Sequence, residues 1–201
     1  MFPSHRGYAY HWHRGCCREH WAGSIAHADP AAEIPAVMLA LDAEMEARST
    51  SGSRVIAARD FFAGPFQTSL VPGEILTEIR VPGLPPHSGS AFVEFARREG
   101  DYALVGVAAV VTLDEDGTIA SARLGLCSIA ATPVRPTTAE SLLKGQRPTR
   151  DAWNAAADAV VATLNEPPSD IHGSADYRRH LAGVMTRRAL ALAAERAERN
   201  R

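Results

Sequence analysis

An α+β fold is predicted for this 201-residue chain by three observations. Strand-like runs surround the dipeptide Asp116-Gly117, three helical patterns follow them in order, and Pro82, Pro85 and Pro86 separate an earlier part from a later one. Strands followed by helices, rather than strict alternation, predict helices packed on one face of an antiparallel sheet.

The later part is the more regular. Residues 91–98 form a strand candidate, and residues 103–113 a nearly continuous β-favouring run expected to be buried on both faces. Asp116-Gly117 is expected to make a tight hairpin, since both residues tolerate positive φ, returning the chain as a strand over 118–129. Residues 137–144 are expected to be helical, opened by a capping box of Thr137 and Glu140 and stopped by a left-handed Gly145. A second helix over 149–164 places Trp153, Ala157, Val160, Val161 and Leu164 on one face. A third begins at Ser174, with Asp176 at its positive end and Tyr177, Leu181, Val184, Met185, Leu192 and Ala193 along one side. Arg178, Arg179, Arg187 and Arg188 on that helix are expected to form a solvated face or part of a subunit contact.

The earlier part is shorter in its elements. Residues 34–41 suit a short apolar helix, 43–50 and 53–58 a hairpin about Ser51-Gly52, and 74–81 an edge strand carrying Ile75, Ile79 and Val81. Residues 1–21 stand apart, with His5, His11, His13, His20, Cys16 and Cys17 but no apolar period. Imidazole and thiolate are zinc ligands, yet the spacing matches no closed Cys/His motif. This leader is expected to be disordered or translated out of frame. One encoding of Arg18 to Gly23, read a base out of step, spells Gly-Thr-Leu-Gly-Gly.

Composition narrows the function. Apolar residues make up 46% and charged residues 22%, and the net charge is -2, so no basic surplus points to nucleic acid or an anionic membrane. No apolar run suffices for a transmembrane helix, no secretory h-region opens the chain, and three cysteines are a poor disulfide framework; a reducing cytoplasm is expected. No nucleophile triad, P-loop or dinucleotide fingerprint is assignable. The stretch Gly23-Ser24-Ile25-Ala26-His27-Ala28-Asp29-Pro30 reads as a loop whose backbone N–H groups can approach an anion such as a pyrophosphate. His27 reads as a hydrogen-bonded structural residue rather than a base. In the charged turn around residues 97–102, Tyr102 is placed to cover a planar ligand face.

Residues 23–33, Gly-Ser-Ile-Ala-His-Ala-Asp-Pro-Ala-Ala-Glu, resemble the second FAD-binding motif of the flavoprotein subunits of molybdenum hydroxylases, a family that includes carbon monoxide dehydrogenase medium subunits and the FAD domain of xanthine dehydrogenase. Residues 74–82 are similar to the strand closing that FAD domain, 97–105 to the opening of its C-terminal domain, and 170–179 to its late helix. The family's usual Gly-Thr-x-Gly-Gly is replaced here by Glu19-His20-Trp21-Ala22-Gly23, and the family's first glycine-rich loop has no counterpart.

The resemblance implies the C-terminal remnant of a FAD-binding domain over 22–84 and a C-terminal domain of a three-stranded sheet and about three helices over 88–197. It also implies Gly23, Ser24 and Ile25 against the FAD diphosphate and ribityl chain, Glu33 bonded to the cofactor, and Leu76 and Tyr102 near the isoalloxazine ring. By the same resemblance, FAD passes electrons from iron–sulfur clusters to an outside acceptor. Molybdopterin and the clusters then sit on a large and a small partner subunit, and the substrate is chosen on the former. The alternatives are a module that binds partners without FAD, and a zinc protein using the leader.

Overall fold

The computed structural model describes residues 20–98 and 100–201. The described residues open with α1 (His20–His27), turn at Ala28 in the left-handed region (φ 52°), and enter α2 (Glu33–Ala40). In the turn, Asp29 Oδ1 accepts a hydrogen bond from Ala31 N at 2.8 Å. Pro35 is tolerated in the first turn of α2, where its missing N–H would have had no helical partner.

Strands β1 (Glu44–Ser49) and β2 (Gly52–Ala57) form the expected hairpin, and β5 (Ile75–Arg80) pairs on the other side of β1. The order is β2-β1-β5, all antiparallel, so β5 is an edge as its alternation suggested. Met45 lies opposite both Ile56 and Ile79 and faces the core made by α1 and α2. Between β2 and β5 run a single turn of helix, α3 (Ala58–Phe61), and a small hairpin of β3 (Phe62–Gly64) and β4 (Gln67–Thr68).

The later sheet has the order β6-β7-β8, with β6 (Ser88–Phe95), β7 (Val105–Leu113) and β8 (Ile119–Cys127). Helices α4 (Thr137–Leu143), α5 (Arg150–Thr163) and α6 (Ala175–Arg199) cover one face, and α2 crosses the other. Every residue of β7 is therefore buried, as its unbroken apolar run implied.

Two glycines permit this layering. An added Cβ at Gly89 would stand 2.1 Å from Ala193 O of α6, and one at Gly125 would stand 1.9 Å from Ala36 O of α2. The first explains why β6 begins three residues before the expected 91. Ser88-Gly89-Ser90 is small because a helix backbone lies against it, and Ser88 and Thr112 share a hydrogen bond between hydroxyls at 2.8 Å.

Four expectations are corrected. Gly23 and Ser24 lie within α1 rather than in a loop. Of the Asp116-Gly117 pair, only Gly117 is left-handed (φ 83°). The turn is longer, closed by Asp114 N to Thr118 O, with Asp116 Oδ1 accepting from Thr118 N. Thr137 does not cap α4: Pro136 holds that position, and Glu140 instead accepts from Leu124 N and Arg135. Arg178 is not solvated but 5% exposed, whereas Arg188 is exposed and Arg179 pairs with Asp176. Gly145 is left-handed (φ 77°) and Ser174 caps α6, both as expected, and Thr149, where the second helix was expected to start, caps α5. The metal reading of residues 1–19 lies outside the described residues, as does the side chain of His20; among the described residues no group of three or more ligands gathers. No described helix is long and apolar enough to cross a membrane.

Candidate functional site: an interdomain cleft

A cleft of about 730 Å³ opens where the two parts of the chain meet, within the range of small-molecule sites. The turn at residues 29–31 and Phe66 form one wall. The opposing walls are the loop carrying Arg97 and Tyr102, the strand end at Leu104, the segment of Ser128, Ala130 and Ala131, and the loop holding Asp170 and His172. Tyr102 is 73% exposed at the lip and Ile171, beside the cleft, 94%. Large exposed rings and aliphatics beside a concavity offer a surface suited to a planar ligand.

Of the six residues singled out for cofactor contact, Tyr102 lines this cleft. The others do not line it. Gly23 is exposed, Ser24 half-buried and Ile25 fully buried in α1, whose end feeds the turn at residues 29–31. Glu33 opens α2, and Leu76 on β5 packs against the cluster that contains Ile25. The His27 ring rests on Phe66, with centroids 5.0 Å apart.

Cross-links hold the walls. Ser128 N donates to Pro30 O at 2.8 Å, tying the later sheet to the α1–α2 turn. Asp170 Oδ1 accepts from the amides of His172 (2.8 Å) and Gly173 (3.0 Å), and Arg97 Nη1 contacts His172 Nδ1 at 2.7 Å. The His172 amide, followed by Arg178, holds the Asp170 carboxyl below the usual range, so it stays ionised.

Beside the cleft, Glu94 faces the opposite pressure. Desolvation first, then the Glu33 charge, raises its carboxyl above the ordinary range. The same surroundings push the Cys127 thiol up to about 12, chiefly through burial, so it is a packed apolar group and no nucleophile. A carboxyl raised in the fold loses stability when it ionises. Glu94→Gln should therefore leave the melting temperature nearly unchanged below pH 4 and raise it slightly at pH 7, a contrast calorimetry at the two pH values will detect.

The sequence reading missed Arg178 and the segment around Ser128. The first had a signal. Residues 178, 181, 182, 185 and 189 recur at helical spacing on the buried stripe of α6, so an arginine within it should be interior. The second had none, because Ser128 acts through its backbone.

The family of the CO dehydrogenase flavoprotein C-terminal domain matches residues 90–193, and the FAD binding domain in molybdopterin dehydrogenase matches residues 20–84. The chain belongs to this flavoprotein family. The 6-hydroxypseudooxynicotine dehydrogenase complex subunit alpha of Paenarthrobacter nicotinovorans is 45% identical over 175 residues, covering 87% of this chain and 59% of that protein. The carbon monoxide dehydrogenase medium chain of Afipia carboxidovorans is 39% identical over 179 residues, covering 88% and 60%. The solved CO dehydrogenase from Oligotropha carboxidovorans is similar at a TM-score of 0.84 and 38% identity, over 88% of this chain and 61% of that one. The quinoline 2-oxidoreductase structure from Pseudomonas putida 86 gives 0.81 and 38%. The chain thus spans about three fifths of the length of these relatives.

Proposed function

We propose that this chain is a FAD-holding subunit of a molybdenum hydroxylase, passing electrons received from iron–sulfur clusters to an external acceptor. The observation that carries this reading is Tyr102 at the lip of a cleft whose walls come from both family-matched segments. The residues fit the group. Gly23 is an exposed residue of α1, and among the described residues nothing beyond that helix's own backbone lies within 4 Å of where its Cβ would be, so a diphosphate can approach the chain closely there. Ser24 stands beside that approach, Ile25 anchors the helix from below, Leu76 packs on the cluster that seats Ile25, Glu33 offers an acceptor to cofactor hydroxyls, and Tyr102 bounds the ring. When bound, FAD supplies the electron exchange; this chain's residues orient it and shield it from water.

The partners in this reading are a molybdopterin-bearing large subunit and an iron–sulfur small subunit, in the cytoplasm. The parts acting in it are residues 22–84 and 88–197, and the two apolar clusters follow that division except that Ala108 and Val110 of β7 join the earlier one. A second reading, a partner-binding module without FAD, is favoured by Ile75 (66% exposed) and Val71 (54% exposed), at and just before the edge strand β5.

Gly23→Ala separates the two. In a helix with open space, alanine should raise folding stability by up to about 1 kcal/mol, or roughly 2–4 °C. If the diphosphate lies against that backbone, the same methyl weakens FAD binding about tenfold, read by titrating FAD fluorescence with each protein. Higher stability with unchanged FAD affinity would remove Gly23 from the site, and no binding by either protein would favour the second reading.

A further inference from the structure

Arg178 is buried on the cleft side of α6, yet its stripe otherwise carries Leu181, Ala182, Met185 and Ala189. Its Nη1 donates to Leu104 O at 2.8 Å and to Ser128 O at 3.2 Å, and its Nη2 donates to Asp170 Oδ2 at 2.7 Å. Those three acceptors lie on three separate walls of the cleft. The linkage goes further by one bond from each. Leu104, two residues beyond Tyr102, donates its N–H to Phe95 O; Ser128 N reaches Pro30 O; Asp170 holds the amides of His172 and Gly173.

Stability alone does not ask for this arrangement. A guanidinium this buried is desolvated, and among the described residues its Nε has no partner and one carboxylate, Asp170, pairs with it. Replacing a buried ion together with its partner by apolar groups is often neutral or better for folding, although removing the guanidinium alone would leave its three acceptors without this donor. What the guanidinium provides is a rigid, planar set of donors that fixes three chain segments relative to one another.

We propose that Arg178 is the positioning residue of the cleft, setting the separation of its three walls and so the place of Tyr102 over a bound flavin. The role in flavin placement rests on the reading of the cleft given above; the role in holding the walls does not. Lysine keeps the charge but offers a single point donor that cannot span both carbonyls and the carboxylate. Arg178→Lys should therefore keep the fold and lose the geometry.

Amide hydrogen exchange on the flavin-free chain reads this directly, because Leu104, Ser128 and Gly173 each have a bonded amide to report. In Arg178→Lys these three should exchange roughly tenfold faster or more while the amides of β7 and of residues 185–197 keep their protection. An Arg188→Gln control, at an exposed position of the same helix, should change none of them. Where the wild-type chain binds FAD, the lysine variant should bind it about tenfold more weakly, with brighter residual flavin fluorescence. Arg178→Met tests the charge, and if it fails to fold the lysine variant still decides. Unchanged protection at the three amides in Arg178→Lys would overturn the proposal, as would a uniform loss across β7 and α6. Faster exchange at the three walls in a chain that binds no FAD would keep Arg178 as the organiser of the cleft and refute only the flavin reading.

Discussion

Gly125→Ala should lower stability by about 3 kcal/mol or more, a loss of roughly 10 °C in melting temperature for a chain of this size. The reason is geometric. Gly125 lies mid-strand in β8, where the backbone of α2 crosses the sheet, and a methyl there would meet the Ala36 carbonyl oxygen at 1.9 Å and its carbon at 2.8 Å. A flexible side chain could move aside, but a helix backbone cannot without lifting α2. That lift would uncover Ala108 and Val110 of β7, which belong to the same apolar cluster as Met38 and Met45. The expected defect therefore reaches beyond one contact: it loosens the seam between the earlier and later parts, and with it the cleft. Calorimetry gives the stability. A variant as stable as the parent would mean α2 does not lie on β8 as described.

Asp42→Ala should cost about 3 kcal/mol, by two separable routes. Asp42 joins the same two parts through charge, its carboxylate accepting from Arg123 at 3.0 Å and from Arg135, while Arg135 also holds Glu140 at 3.0 Å. Removing it leaves two largely covered guanidinium groups without that partner. It also places alanine at φ 51°, a conformation that aspartate and asparagine tolerate better. Asp42→Asn retains the backbone tolerance and loses only the charge, so it should recover about half the loss. The carboxyl is 43% exposed, which keeps the electrostatic share modest.

The pH dependence has a definite sign. Partial burial is the largest single influence and raises the Asp42 carboxyl, but hydrogen bonds and charge from Arg135 and Arg123 together more than reverse it, leaving it below the ordinary value. A depressed carboxyl contributes stability that is complete above about pH 4 and is lost as pH falls through its folded value. Asp42→Asn should thus flatten the acid limb of the stability curve, seen as a gap from wild type that closes as pH falls through the lowered value of the folded carboxyl.

Much of this architecture is written in the sequence because local signals and tertiary demands agree. Ser174 caps a helix whose apolar face packs on the sheet, Thr149 one that packs on α4 and α6, and the run from Val105 to Leu113 is nearly all apolar because both its faces are covered. The same agreement carried the order of the later elements and the hairpin of β1 and β2. Where tertiary demands overrule local ones, the sequence misleads. Helix α1 contains Gly23-Ser24, residues that favour turns, and it holds because Ile25 is sealed into the core. Ser88-Gly89-Ser90 looks unlike strand because α6 presses on it. Helix α3 and the β3–β4 hairpin are too short for any period to show.

The site divides in the same way. Tyr102 was legible as an aromatic in a charged turn, and the motif at residues 23–33 was legible by resemblance. The cleft itself was not, since its walls come from five separated segments and two of its cross-links use only backbone atoms. Arg178 was misread because arginine is so seldom interior that its position on the helical stripe was outweighed by its charge.

An absorbance spectrum shows most directly whether this chain holds FAD. The purified chain is incubated with excess FAD, passed through a desalting column and scanned. Flavin bands retained near one FAD per chain, with the spectrum shifted from that of free FAD, are the predicted result. A colourless protein, with all flavin in the small-molecule fraction, would contradict it and leave the fold as a subunit-binding module.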